Sequence, residues 1–354
     1  MTSIAALSDC HLGYRHRSRR ERLRDYLRSF GYAVQEIVKL KPDVLVVGGD
    51  LLHHPKPDPV SMRNALEKLL YMADYFPIVV LVGNHEIQGH LGTTYTPLFS
   101  SIHENIHVLT SDNPVVEPIE GVWFHGFQYI RGRDLAEKTL LEASQNASGG
   151  LNVLCLHQAV EGCLSPHELS MRVLRQVQEK YDLMLFGHVH KHQRIMGLDT
   201  PAYYIGATER VSFNEADNPT GFMYFPDAKG EPEYVSVPSA SMRSIRLKGK
   251  AETLKEVVER VHALIGENKD VEMLKIDVEV DVADLFELNH GFGEYAEDFK
   301  ILEVNINPSR VLEDVEFEQV ELGPDLIAEY FEKTGVKDKA LLDKCVQLYE
   351  RYGG

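Results

Sequence analysis

Short apolar runs alternate with amphipathic segments along the first 190 residues of the chain. The runs are four to six residues long and are mostly followed by glycine, which is typical of strands buried on both faces of a sheet. In chain order they are SIAALS, DVLVVGGD, IVVLVGNH, NVLCLH and DLMLFGHVH. Between them, apolar residues at helical spacing predict helices over 20–40, 58–75 and 167–179. This alternation predicts an α/β fold.

The pattern changes after residue 192. Four short segments separated by proline and glycine predict further strands: HQRIMG, AYYIGAT, GFMYFP and EYVSVP. PSAS at 238–241 predicts a linker, and SIRLKG, a helix over 251–266 and the alternating KIDVEVDV then predict a small α+β domain. After Pro324 the segments LIAEYFEK and ALLDKCVQLYERY predict two short amphipathic helices.

Composition excludes some classes of protein. A chain of 354 residues that is 44% hydrophobic can bury a large core and is long enough for two domains. No apolar stretch approaches the roughly 18 residues that span a bilayer, and the first residues show no signal-peptide pattern. Four cysteines without CxxC spacing predict free thiols: Cys10, Cys155, Cys163 and Cys345. We therefore expect a cytoplasmic protein in a reducing compartment, with no membrane partner.

Charge is distributed unevenly along the chain. The net charge is −17, but residues 251–354 carry 26 acidic and 11 basic side chains, which leaves −2 for residues 1–250. The nearly neutral part contains the arginine-rich stretch RHRSRRERLR at 15–24. This stretch could meet nucleic acid, but an isolated charge run is more often the solvated first turns of a helix.

Polar side chains stand where the apolar runs end. They are Asp9, His11, Asp50, Asn84, His85, His157, His188 and His190. In an open α/β sheet ligands bind outside the carboxyl ends of the strands, so these residues are expected to converge at one edge. Strand alternation places residues i and i+2 on one side, which predicts that Asp9 lies beside His11 and His188 beside His190.

Imidazole and carboxylate groups together are ligands for divalent metals, and the absence of cysteine from the set disfavours structural zinc. Seven candidate ligands are too many for one ion, so two ions bridged by Asp50 are the economical interpretation. Taken singly, each motif has an ordinary explanation: surface histidines at HVH, a helix cap at Asp9, a turn at Asp50 or a core histidine at 157. Their occurrence together, all at strand ends, makes coincidence improbable.

The motifs SDCHLG, GGD, GNHE, LH and GHVH resemble those of the calcineurin-like metallophosphoesterase superfamily. The resemblance implies a two-sheet β-sandwich flanked by helices over residues 1–238. A small α+β capping domain over 239–310 and a C-terminal helical segment over 311–354 would follow. Within this superfamily, three longer stretches resemble the SbcD type of DNA double-strand-break repair nuclease: DCHLGYRH, GGDLLHHPKP and YIGATERVSFNE.

The resemblance also implies roles for single residues. One ion would be held by Asp9, His11, Asp50 and His190, and the second by Asp50, Asn84, His157 and His188. The family's ions are two manganese ions per subunit, although iron and zinc accept the same nitrogen and oxygen ligands. His85 would protonate the leaving 3′ oxygen, which suits imidazole because it exchanges protons near neutral pH. The implied DNA contacts are His53, Arg15, Arg17, Arg19, Arg20, Glu209 and Arg210.

The same resemblance implies two protein partners. The C-terminal segment would dock on an SMC-like coiled-coil ABC ATPase through Leu326, Tyr330, Phe331, Leu341, Leu342 and Leu348, or the helix pair folds on its own domain. Helices near 60–75 and 91–105 would form a homodimer. The activity implied is manganese-dependent 3′–5′ exonuclease and single-strand endonuclease action on DNA in double-strand-break repair, in the cytoplasm beside the nucleoid. The alternatives are a small-molecule phosphodiesterase or phosphatase, and a scaffold, which would require a broken ligand set.

Overall fold

The computed structural model describes residues 1–88, 94–147, 149–248, 254–280, 292–295, 297–308 and 339–352. Its strands are β1 (Ile4–Leu7), β2 (Val44–Val47), β3 (Ile78–Leu81), β4 (Ile106–Leu109), β5 (Val115–Ile119), β6 (Val122–Gly126), β7 (Leu151–His157), β8 (Leu183–Gly187), β9 (Gln193–Arg194), β10 (Ala202–Tyr204), β11 (Gly221–Phe225), β12 (Glu233–Ser236), β13 (Met242–Lys248), β14 (Met273–Val280) and β15 (Ile301–Pro308). Its helices are α1 (Arg20–Leu40), α2 (Pro59–Ala73), α3 (Arg133–Ala143), α4 (Met171–Val177), α5 (Leu254–Glu267) and α6 (Lys339–Tyr352).

Two six-stranded sheets pack face to face. The first has the order β12-β11-β1-β2-β3-β4, with β1 to β4 parallel, and the second has the order β5-β6-β7-β8-β10-β9, with β6, β7, β8 and β10 parallel. Val46 and Val79 of the first sheet share a buried cluster with Val153 and Leu185 of the second. The predicted two-sheet sandwich is therefore confirmed.

Helices cover the outer face of each sheet. Phe30 of α1 and Leu69 of α2 are buried in one cluster with Val47 of the first sheet. Leu140 of α3 and Leu174 of α4 pack in another cluster with residues of the second sheet. The start of α2 is fixed locally, because the Asp58 carboxylate accepts hydrogen bonds from two backbone amides of the first turn. None of the described helices is long and apolar enough to cross a membrane.

A three-stranded parallel sheet follows the sandwich. Its order is β13-β14-β15, and Val261 and Ile265 of α5 are buried against Ile276. The PSAS segment at 238–241 packs closely on the sandwich, because Ala240 is buried and its amide donates to Glu209. The described chain up to Pro308 forms one compact unit, and α6 belongs to a separate unit. The boundary placed at residue 238 stays a prediction.

Most elements agree with the hydrophobic pattern. All five apolar runs are strands. The helices predicted over 20–40, 58–75, 167–179 and 251–266 match α1, α2, the shorter α4 and α5, and ALLDKCVQLYERY forms α6. The pattern missed α3, β4, β5, β6 and β15. β5 is an edge strand with no fully buried residue, so it lacks the continuous apolar character of the central strands. The predicted helix LIAEYFEK lies outside the described residues.

Candidate metal centre

The polar residues at the strand ends converge from both sheets. Asp9 follows β1, Asp50 follows β2 and Asn84 follows β3 of the first sheet, while His157 ends β7 and His188 follows β8 of the second. Asp9, His11, Asp50 and His157 are almost completely buried. The carboxyl ends of strands from two sheets therefore meet at one site, as expected for an α/β crevice.

The backbone at the site turns sharply. Asp9, His11, Asp50 and His188 have φ values of 51°, 44°, 49° and 82°, in the left-handed region that side-chain-bearing residues rarely adopt. Asp9 and His11 lie beyond the end of β1, and His188 lies beyond the end of β8. Strand alternation, the predicted reason for the alignment, is therefore wrong. Left-handed turns after the strands direct the side chains of Asp9, His11 and His188 into the site.

Glycines allow the loops to approach one another closely. A Cβ atom on Gly83 would collide with the carboxylate and the backbone amide of Asp50. A Cβ atom on Gly187 would collide with the carbonyl of Gly48 and lie 2.6 Å from Nδ1 of His157. The glycines of GNH and GHVH are thus required by contact with candidate ligands.

One group of ligand atoms gathers around His11 and His190. Their Nε2 atoms lie 3.0 Å apart. His190 Nε2 is 3.7 Å from Oδ1 of Asp9, and His11 Nε2 is 3.8 Å from Oδ2 of Asp50. Two imidazoles and two carboxylates therefore present their ligand atoms to a common point.

A second group gathers around Asn84. Its Oδ1 lies 3.1 Å from Nε2 of His157 and 2.8 Å from Nδ1 of His188. His157 Nε2 is also 3.4 Å from Oδ2 of Asp50. Asp50 Oδ2 thus lies near both groups, within 3.8 Å of His11 and 3.4 Å of His157. In this arrangement His188 and His190 belong to different groups.

The electrostatics of the site suit divalent cations. Burial raises the pKa of Asp9, whereas His157, His11 and His85 outweigh burial at Asp50 and hold its pKa below the usual range. Burial alone would lower the pKa of His157, but the carboxylates of Asp50 and Asp9 raise it to about 9. Buried carboxylates need positive charge close by. The oxygen and nitrogen donor set, without cysteine, fits two hard or borderline ions.

Hydrogen bonds from the backbone hold several of these side chains. The amide of His188 donates to both oxygens of Asp9, at 3.3 and 3.2 Å, and the amide of His85 donates to Oδ1 of Asp50 at 2.9 Å. His157 Nδ1 lies 2.8 Å from the carbonyl of Gly48, which directs Nε2 toward Asp50. Such partners fix the orientation and tautomer of metal ligands.

Glu86 is a buried carboxylate that the sequence reasoning missed. Its oxygens accept hydrogen bonds from the amides of Gly83 and Leu52 and from the hydroxyl of Thr96. Burial and the nearby Asp50 raise its pKa to about 8. The signal was present in the sequence as the last residue of GNHE. Glu86 thereby ties the loops that carry Asn84 and His53 to each other.

His53 and His85 lie beside the first group. His53 Nδ1 is 3.1 Å from Nδ1 of His11, and the ring of His85 is 4.9 Å from the ring of His11, centroid to centroid. The rings of His53 and His85 stack at 4.6 Å. Burial and the neighbouring histidines lower the pKa of His53 to about 3, which keeps it neutral near pH 7.

Apart from His53, the predicted DNA contacts separate into two sets: the arginines within residues 15–20, and the pair Glu209 and Arg210. Arg15, Arg19 and Arg20 are exposed, with Arg15 Nη2 3.7 Å from the carboxylate of Asp58, and the side chain of Arg17 lies outside the described part of the chain.

Glu209 is fully buried, 2.9 Å from the hydroxyl of Ser29 and 3.6 Å from Nη1 of Arg22. Arg210 donates to the carbonyls of Asn218 and Ala240. The burial of Glu209 contradicts its predicted contact with DNA: because its carboxylate pairs with Arg22 and the linker amide, it holds the linker segment against α1. Arg210 binds the same linker.

Comparisons with known proteins add to this geometry. The model of the calcineurin-like phosphoesterase family matches residues 2–192. The DNA double-strand break repair protein Mre11 of Methanopyrus kandleri is 29% identical over 236 residues, which cover 62% of this chain and 51% of that protein. Mre11 of Methanococcus maripaludis is 26% identical, covering 64% and 63%, and Mre11 of Archaeoglobus fulgidus is 24% identical, covering 92% and 78%. The chain thus aligns with about half to two thirds of the first two relatives.

Proposed function

We propose that the chain, which belongs to the calcineurin-like phosphoesterase family, is a manganese-dependent DNA nuclease of double-strand-break repair. The proposed activities are 3′–5′ exonuclease and single-strand endonuclease. The observation that carries the proposal is the convergence of two buried aspartates, four histidines and one asparagine at the strand ends of both sheets. The similarity to archaeal Mre11 proteins supports DNA as the substrate.

Two overlapping sets of residues would hold the ions in this proposal. Asp9, His11, Asp50 and His190 would hold one manganese ion, and Asp50, Asn84, His157 and His188 would hold the other. When bound, two divalent cations would supply Lewis acidity for in-line hydrolysis of the phosphodiester and would stabilise charge on the phosphate oxygens. The chain itself positions the phosphodiester, orients the ligands and transfers the proton.

His85 is the proposed proton donor to the leaving 3′ oxygen. Its backbone amide is bound to Asp50, and its imidazole stacks on His53 beside the ring of His11. His53, stacked on His85, is the proposed contact for the end of the DNA strand. Arg15, Arg17, Arg19 and Arg20 then bind the phosphate backbone, so affinity for DNA should fall with salt.

Two protein partners complete the proposal. Homodimerisation through the segments 60–75 and 91–105 is supported by exposed apolar side chains in their described parts: Tyr71 and Tyr75 expose 45% and 57%, and Leu98 exposes 59%. Docking of an SMC-like ABC ATPase on the C-terminal segment is supported by α6, where Leu341 exposes 48%. Leu326, Tyr330 and Phe331 lie outside the described residues, as does the side chain of Leu348.

The deciding experiment incubates 3′-labelled duplex DNA with manganese and compares the wild type with Asp50→Asn and Asp43→Asn. Asp50 and Asp43 flank β2 at opposite ends, and Asp43 binds only Ser3 in the hydrogen bonds that the structure describes. We expect loss of labelled nucleotides with the wild type and Asp43→Asn but not with Asp50→Asn. Equal cleavage by all three proteins would contradict the proposal. Hydrolysis of nitrophenyl esters with intact DNA would favour the small-molecule phosphodiesterase.

A further inference from the structure

His190 presents its two ring nitrogens to different partners. Nε2 points into the first ligand group, 3.0 Å from His11 and 3.7 Å from Asp9. Nδ1 lies 3.1 Å from Oε1 of Glu215. In His157 the ring nitrogen that faces away from the ligand groups, Nδ1, contacts the neutral carbonyl of Gly48. In His11 the corresponding Nδ1 contacts Nδ1 of His53. His190 is thus supported from behind by a carboxylate.

Glu215 is itself held in place. Its Oε2 accepts a hydrogen bond of 2.8 Å from the amide of Val211, and its Oε1 accepts a longer bond of 3.3 Å from the hydroxyl of Ser212. The side chain is 18% exposed. A carboxylate anchored by its own turn has few orientations, so its position restricts the rotation of the His190 ring.

We propose that Glu215 is a positioning residue for the metal centre: it accepts the Nδ1 proton of His190 in a hydrogen bond and so directs Nε2 toward the first manganese ion. A carboxylate behind a ligating imidazole fixes the ring and increases its basicity, and the loss of such a partner weakens metal binding by about 10- to 100-fold. The inference rests on the proposed function, because it assumes that His190 is a metal ligand.

The arrangement predicts an unequal effect on the two ions. Glu215 touches His190, whereas Asn84, His157 and His188 surround the second position. Replacement of Glu215 should therefore weaken one manganese-binding event and leave the other unchanged. A general loss of stability would weaken both.

The test is isothermal titration calorimetry of manganese into metal-free full-length protein, with the wild type, Glu215→Ala, Glu215→Gln and Glu137→Ala. The control removes a carboxylate that accepts a 3.0 Å hydrogen bond from the amide of Ser170, away from the ligands. For Glu215→Ala we expect one of the two dissociation constants to rise by about 10- to 100-fold. Glu215→Gln, which keeps an acceptor oxygen, should recover a large part of that loss, and Glu137→Ala should bind as the wild type does.

A second readout separates orientation from catalysis. With 3′-labelled duplex DNA as substrate, the manganese concentration for half-maximal rate should rise in Glu215→Ala, while kcat at saturating manganese stays within about threefold. Two unchanged dissociation constants in Glu215→Ala would overturn the inference. If that variant does not fold, unchanged constants in a folded Glu215→Met, which fills similar space without an acceptor oxygen, would do so equally. Failure of the wild type to bind manganese would instead overturn the proposed function.

Discussion

The carboxylate of Asp50 is bound by the backbone amide of His85, over 2.9 Å, and not by its imidazole. The hydrogen bond is therefore independent of the side chain at position 85. A substitution there can remove the proposed proton donor while the bridging carboxylate keeps its orientation.

His85→Gln should accordingly bind manganese and DNA as the wild type does but lose turnover by about 10²- to 10⁴-fold, the usual contribution of a general acid. Calorimetry, DNA-binding assays and single-turnover cleavage measure the three quantities. His262→Gln is the control, because His262 lies on α5, outside the ligand set and the predicted dimer segments, with its Nδ1 3.0 Å from the hydroxyl of Tyr295. Near-normal cleavage by His85→Gln would show that another group protonates the leaving oxygen.

Gly83→Ala should disable the site without unfolding the protein. The new Cβ would collide with the carboxylate and amide of Asp50. Because ligands must be held to within about 0.5 Å, manganese affinity should fall by about tenfold or more.

Gly31→Ala is the matched control for this substitution. Gly31 lies within α1, and a Cβ there meets no atom within 4 Å. Alanine at a helix-interior position without collisions should stabilise the fold by about 0.5–1 kcal/mol. Calorimetry and thermal unfolding report both effects, and unchanged manganese affinity in Gly83→Ala would show that the loop can move away from Asp50.

Leu98→Glu should convert a dimer to a monomer. Leu98 lies within the predicted dimer segment 91–105 and exposes 59% of its surface, and a buried charge at an interface is strongly unfavourable. Leu135→Glu on α3 is the control, because Leu135 exposes 58% but lies in neither segment. Light scattering after gel filtration measures the mass. A wild-type monomer, or a Leu98→Glu dimer, would refute the predicted interface.

Acid should weaken the ion pair between Glu272 and Lys300 beside the three-stranded sheet. Burial would raise the pKa of Glu272, but Lys300 and the amide of Ser241 hold it below its ordinary value of 4.5. A carboxyl whose pKa is lowered on folding stabilises the fold above its unfolded pKa, and this contribution is lost as pH falls through the folded pKa. The stability that Glu272 contributes should therefore be lost below about pH 4.5.

Glu272→Gln should consequently unfold at a Tm about 2 °C lower than the wild type at pH 7, since a partly exposed ion pair contributes up to about 1 kcal/mol. The difference should shrink as pH falls below 4.5, because the carboxyl becomes protonated as pH approaches its lowered pKa. Thermal unfolding followed by circular dichroism measures both values, with the exposed Glu233→Gln as control. A difference that stays constant as pH falls below 4.5 would show that the carboxyl acts through packing rather than charge.

The strands were predictable where burial on both faces produces continuous apolar runs, as in β1, β2, β3 and β8. The ligands were predictable because each follows such a run. Contacts between distant segments left no local signal: Glu209 reaches Ser29 across 180 residues, and Glu215 reaches His190 across 25. The sequence thus indicated which residues stand at strand ends, and only the fold determines which carboxylates support them.

The left-handed backbone at Asp9, His11, Asp50 and His188 has a consequence for the evolution and engineering of the chain. Each such residue costs about 1–3 kcal/mol relative to a conformation that it would adopt freely. Glycine at these positions would relieve that cost and remove a ligand in the same step. Selection for heat resistance alone should therefore accumulate glycine at these four positions and yield variants that are more stable but inactive. Screens for stable variants consequently need to include a measurement of metal binding.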